Sequence, residues 1–152
     1  MSFSLSRDQI LVVDDDIETL RLLKMALERT GFRVMTASTW DEVSANVDKS
    51  YNNNSPIDAI ILDLMMPERS GFDVYRALQS RLVPMPPVIM LTAVTGMQQR
   101  VDARDLGVTK YLTKPTTPSK LVETLREVLK EYRKDRPKGQ TIRKFPPKQL
   151  DG

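Results

Sequence analysis

The chain has 152 residues, 40% hydrophobic and 28% charged. That is enough for one domain with a real core, while no apolar run approaches the roughly 20 residues of a membrane span. Cysteine and histidine are both absent. Disulfides, thiolate metal sites, a cysteine nucleophile and histidine general-base chemistry are therefore excluded, and any metal must be held by oxygen, as Mg²⁺ is. The net charge of +3 is a property of the tail: residues 130–152 hold eight Lys or Arg against three Asp or Glu, leaving 15 against 17 elsewhere, so no basic domain face for nucleic acid is expected.

The first strand is predicted at Ile10–Val13, a continuous apolar run that passes directly into Asp14, Asp15 and Asp16. Ile17 to Thr30 reads as a helix with Leu20, Leu23 and Leu27 on one stripe, Asp16 as its N-cap and Gly31 as its stop. RVMTA (33–37) is a second strand. Thr39 followed by Glu42 suggests a capping box opening a short helix. The polar stretch SYNNNSP (50–56) reads as a surface loop. DAIILD (58–63) is a third strand ending in acid, with a helix from about Gly71 to Arg81. PPVIMLTA (86–93) is a fourth strand, 95–105 an ill-defined helix, and TKYLTKP (109–115) holds a short fifth strand. Thr117 caps a last helix that has Pro118 at its first position and Leu121, Leu125 and Val128 as its buried stripe.

Five apolar strands alternating with helices predict a doubly wound α/β domain, a parallel sheet covered on both faces. Periodicity stops after Arg133, and the basic, Pro- and Gly-containing remainder reads as a flexible tail or linker. The expected organisation is an N-terminal extension (1–7), a domain (8–133) and a tail (134–152). The opening MSFSLSRDQ lacks the pattern of a secretory leader, so a cytoplasmic location is expected.

Ligands of open parallel sheets bind beyond the carboxyl ends of the strands. Asp14 and Asp15 end strand one, Asp63 ends strand three, Thr92 ends strand four, and Lys114 with Pro115 follows strand five. Three carboxylates in one pocket invite a divalent cation. A carboxylate can serve as a nucleophile toward phosphorus, and phosphoryl transfer needs positioning and charge neutralisation more than acid–base chemistry.

The set VVDDD, ILDLMMPERSG, MLTA and YLTKP, in this order and placement, resembles the receiver domain of bacterial two-component response regulators over roughly residues 8–133. The resemblance implies a flavodoxin-like (βα)5 fold with strand order 2-1-3-4-5. It implies that Asp63 accepts the phosphoryl group and that Asp14, Asp15, Asp63 and the Met65 backbone carbonyl hold Mg²⁺, with Mn²⁺ as a substitute. Lys114 would pair with the phosphoryl group across a cis Lys114–Pro115 bond, and Pro67 and Gly71 would form the turn after the acceptor. Thr92, with the small Ala93 beside it, and Tyr111 would be the switch pair. The donor would be a sensor histidine kinase or a histidine phosphotransfer protein. The fourth helix, fifth strand and fifth helix would present the changed surface to an output partner or domain, and that face could also form a homodimer. The chain would be a signalling switch, catalysing only its own phosphorylation and dephosphorylation, either alone or as part of a larger protein.

Met65, two residues after the acceptor, and Val94, two after Thr92, cannot orient a hydrolytic water, which predicts slow autodephosphorylation. Asp16 is read as a cap rather than a ligand. Met65, Met66, Met85, Met90 and Met97 are read as packing or backbone positions, and Trp40 as partial core. A phosphatase of the haloacid dehalogenase type would need a second acid where Met65 stands. A flavin-binding protein of similar topology would need a phosphate cradle where VDDDIE stands, and the intact acid and lysine set argues against a degenerate scaffold. Tyr132 and Phe145 are the only aromatics near the basic tail, which gives base stacking little support.

Overall fold

The computed structural model describes residues 7–134. Of the expected extension and tail, only Arg7 and Lys134 lie within the described residues. The elements alternate along the chain: β1 (Gln9–Val13), α1 (Ile17–Arg29), β2 (Arg33–Ala37), α2 (Trp40–Asn52), β3 (Ala59–Leu62), α3 (Gly71–Gln79), β4 (Val88–Thr92), α4 (Met97–Leu106), β5 (Lys110–Thr113) and α5 (Pro118–Lys134). The strands form one parallel sheet in the order β2-β1-β3-β4-β5, the doubly wound arrangement expected. Among the described residues, no helix is long and apolar enough to cross a membrane.

Side chains alternate across a strand, and here the alternation divides the core into two layers. Leu11, Val13, Ile60, Leu62, Val88 and Met90 face α2, α3 and α4. Ile10, Val12, Ala59, Ile61, Ile89 and Leu91 face α1 and α5. Each Val, Leu, Ile or Met fully buried in this way contributes about 1.5–3 kcal/mol, and the central strands are apolar on both faces.

Local chemistry sets the helix ends. Asp16 caps α1, accepting from the Glu18 N–H at 3.3 Å and the Thr19 hydroxyl at 2.7 Å, and Gly31 follows the helix at φ 101°, a conformation that suits glycine. At α2, Thr39 accepts from the Glu42 N–H at 3.2 Å, while Glu42 reaches back to the N–H of Ser38 at 2.7 Å rather than to the cap residue itself. This is a capping box displaced by one residue. Thr117 caps α5 by accepting from the Lys120 N–H at 3.0 Å.

Three helix boundaries differ from the sequence reading by two residues or more. The α2 helix takes in Ser50, Tyr51 and Asn52, so the loop is shorter than SYNNNSP suggests. Tyr51 packs against the core layer, and the buried Ser50 hydroxyl bonds the Val47 carbonyl; tertiary burial overrides polar composition. The α3 helix stops at Gln79, two residues before Arg81. The α4 helix begins at Met97, behind a Gly96 that provides no side-chain cap.

Candidate functional site

The backbone ladder continues one residue past several strands and fixes the residues that follow. The Asp14 N–H donates to Ala37 O (3.1 Å), that of Asp63 to Val13 O (3.0 Å), and that of Lys114 to Thr92 O (2.8 Å). Three residues far apart in sequence are thereby anchored along one edge of the sheet. The Lys114–Pro115 peptide is cis, as is Val83–Pro84, the latter without any sequence signal.

The two buried carboxylates are held in the same way. One Asp14 oxygen accepts the Asp16 N–H at 2.9 Å and the other accepts Lys114 Nζ at 2.6 Å. One Asp63 oxygen accepts the Met65 N–H at 3.1 Å and the other accepts Lys114 Nζ at 3.2 Å. Asp14 and Asp63 are 2% and 6% exposed, whereas Asp15 lies open to solvent. Ligand oxygens of Asp14, Asp15 and Asp63 all lie within 4.8 Å of one another. Asp16 is engaged as a cap and is outside this cluster.

Burial pushes the Asp14 carboxyl above its ordinary pKa, and Lys114 offsets this only in part. Burial also disfavours the Lys114 ammonium, but its hydrogen bonds and charge pairing with Asp14 and Asp63 outweigh that and raise its pKa, so it stays protonated. Three carboxylates facing one ammonium leave two uncompensated negative charges. An all-oxygen donor set with that deficit fits a hard divalent cation.

A raised carboxyl pKa means that the fold favours the protonated form. Asp14 therefore costs stability at neutral pH, and the cost grows as pH rises from the unfolded value through the folded one. Asp14→Asn is expected to raise the melting temperature of the metal-free protein and to weaken its affinity for added Mg²⁺ about 10–100-fold. Thermal melts with and without Mg²⁺ measure both. A variant that lost stability without metal would contradict this account of the pocket.

Thr92 ends β4 fully buried, its hydroxyl accepting from the Val94 N–H at 3.3 Å. Tyr111 lies on β5 beside Met90 in register. Its ring packs against the α2–α3–α4 layer, its hydroxyl donates to the Val94 carbonyl at 2.8 Å, and the Arg100 guanidinium stands 4.7 Å from the ring centre. Met65 is 62% exposed, in the loop that leaves Asp63. That loop closes where the Gly71 N–H donates to the Leu64 carbonyl at 2.7 Å, and Arg69 stacks on Trp40 at 5.1 Å. No spacing or periodicity in the sequence announces the Arg100–Tyr111 and Arg69–Trp40 contacts.

A family model for the response regulator receiver domain matches residues 10–126. The chain belongs to the response regulator receiver family. Among curated proteins, the receiver is 40% identical over 123 residues to the transcriptional regulatory protein CpxR of Escherichia coli K12, covering 81% of this chain and 50% of that protein. The chain thus spans about half the length of such relatives. Among solved structures, the CheY-like receiver domain protein of Methanospirillum hungatei JF-1 superposes with a TM-score of 0.75 at 30% identity, covering 86% of this chain and all of that one. The chemotaxis protein CheY4 of Vibrio cholerae superposes with a TM-score of 0.70 at 30% identity, covering 81% and 99%. The chain is a signalling receiver domain of the two-component class.

Proposed function

We propose that the receiver accepts a phosphoryl group on Asp63 from a phosphohistidine donor, a sensor histidine kinase or histidine phosphotransfer protein, and relays the change to an output domain or partner through α4, β5 and α5. The observation that carries this reading is the Asp63 carboxylate, which is buried, touches Lys114 and is clustered with Asp14 and Asp15.

An Asp63 oxygen attacks phosphorus and forms a P–O bond as the bond to the donor nitrogen breaks. Lys114, held protonated by Asp14 and Asp63, supplies positive charge toward the transferring oxygens. Asp14, Asp15, Asp63 and the Met65 carbonyl would hold Mg²⁺, which when bound offsets the remaining negative charge. The phosphoryl group brings roughly two negative charges and three acceptors. The Thr92 hydroxyl, now on Val94, turns to one of them, and the population shifts between two arrangements of the β4–α4 loop.

Acetyl phosphate with Mg²⁺ is expected to add one phosphoryl group to the wild-type chain, seen as a mass increase that EDTA abolishes. A protein that stays unmodified, or that labels equally well in EDTA, would overturn the reading. Neither Met65 nor Val94 has a side chain that could align a water for attack on the acyl phosphate, so the label is expected to decay over many minutes after desalting. Decay within seconds would show that another group activates the water.

A further inference from the structure

Val94 is held from two sides. Its N–H is taken by Thr92 at 3.3 Å and its carbonyl by Tyr111 at 2.8 Å. The helix that follows is weakly anchored: Gly96 gives no side-chain cap, the Arg100 N–H reaches the Gly96 carbonyl only at 3.3 Å, and Ala103 is the one buried residue of α4. Among the described residues Arg100 forms no salt bridge, and its guanidinium lies over the Tyr111 ring. A cation without a carboxylate partner is attracted to the negative face of an aromatic ring. Here that attraction ties the first turn of α4 to β5 and keeps the phenol aimed at Val94. Burial raises the pKa of the Tyr111 hydroxyl, which therefore keeps its proton and can donate to Val94.

We propose that Arg100 is a positioning residue of the switch: by stacking on Tyr111 it keeps the Val94 carbonyl engaged when Thr92 releases the Val94 N–H, and so favours the phosphorylated arrangement. This rests on the reading of Asp63 as acceptor. If Thr92 turns toward a phosphoryl group, Val94 loses one of its two tethers, and the loop keeps a defined position only through the other. The clamp therefore matters more in the activated state than in the arrangement where Thr92 also holds Val94, and removing it shifts the equilibrium against the activated state by that difference.

The test is Mg²⁺-dependent beryllofluoride binding to the wild type, Arg100→Gln, Arg100→Lys, Tyr111→Leu and the Arg100→Gln/Tyr111→Leu double variant, read by titration at several protein concentrations. Arg100→Gln is expected to weaken binding by up to about fivefold, the full worth of an exposed cation–π contact being the ceiling. Arg100→Lys restores most of the affinity, and Arg100→Gln has no further effect once Tyr111 is leucine. NMR signals of the Tyr111 ring shift in Arg100→Gln without beryllofluoride. Unchanged or tighter binding by Arg100→Gln, or an equal loss in the Tyr111→Leu background, would overturn the clamp while leaving Asp63 as acceptor. A wild type that binds no beryllofluoride would overturn both.

Discussion

Asp63→Ala is expected to abolish phosphoryl uptake from acetyl phosphate, with a loss of at least about 100-fold, the cost of removing a single charge-stabilising group from an active site, and to leave the chain folded. Asp14 is buried too, so position is what singles out Asp63. In the order β2-β1-β3-β4-β5, β3 is the central strand. Its end has the Asp14–Asp15 pair of β1 on one side and Thr92 of β4 on the other. Lys114 binds Asp14 at 2.6 Å and Asp63 at 3.2 Å, so the tighter charge-assisted pairing ties up Asp14. In its proposed role as nucleophile, Asp63 would have the candidate cation-binding groups on one flank and the candidate phosphoryl-binding groups on the other. Deleting it also removes one of three mutually repelling acids, so the melting temperature is expected to hold or rise. A folded Asp63→Ala protein that still takes up label would remove the central claim.

The second large effect falls on a residue with no chemistry of its own. A Cβ on Gly71 would lie 2.5 Å from the backbone carbonyl oxygen of Asp63 and 2.8 Å from the Leu64 Cα. Both are main-chain atoms, of Asp63 itself and of its neighbour, and unable to swing aside. Gly71→Ala is therefore expected to destabilise the domain by about 1–3 kcal/mol through overpacking and to slow labelling by displacing Asp63. Denaturant unfolding gives the first quantity and the acetyl phosphate rate the second. Ser70→Ala serves as a control: it removes the cap bond to the Asp73 N–H (3.2 Å) at a cost of about 1 kcal/mol and should spare the rate. Wild-type stability and rate in Gly71→Ala would mean that the loop relaxes freely.

The central strands were legible because they are buried on both faces and so read as unbroken apolar runs; Ile10–Val13 and Ile60–Leu62 needed nothing further, whereas the edge strands β2 and β5 are partly exposed and carry polar residues. The α1 and α5 helices were legible from a stripe and a cap. The α4 helix was not, because MQQRVDARDL buries only Ala103 and starts without a side-chain cap. The end of α2 was misread because the packing of Tyr51 is a tertiary fact. Asp14, Asp15, Asp63, Thr92 and Lys114 could be singled out because strand ends in a parallel sheet converge. Reading the methionines as packing or backbone positions suits the buried Met90, but Met97 is 75% exposed, and hydrophobicity alone carries no sign of that. Arg100 on Tyr111 and Gly71 against Asp63 join elements by three-dimensional proximity, which a linear pattern does not encode.

Asp14 and Asp63 each commit one oxygen to the N–H two residues ahead, and that bond stops the carboxylate from spinning about its terminal torsion. The second oxygen of each points one way before any donor arrives. In the proposed reaction, an incoming phosphorus atom would meet a carboxylate already oriented by the Met65 N–H and Lys114. Little of the barrier to modification would then come from arranging the carboxylate itself.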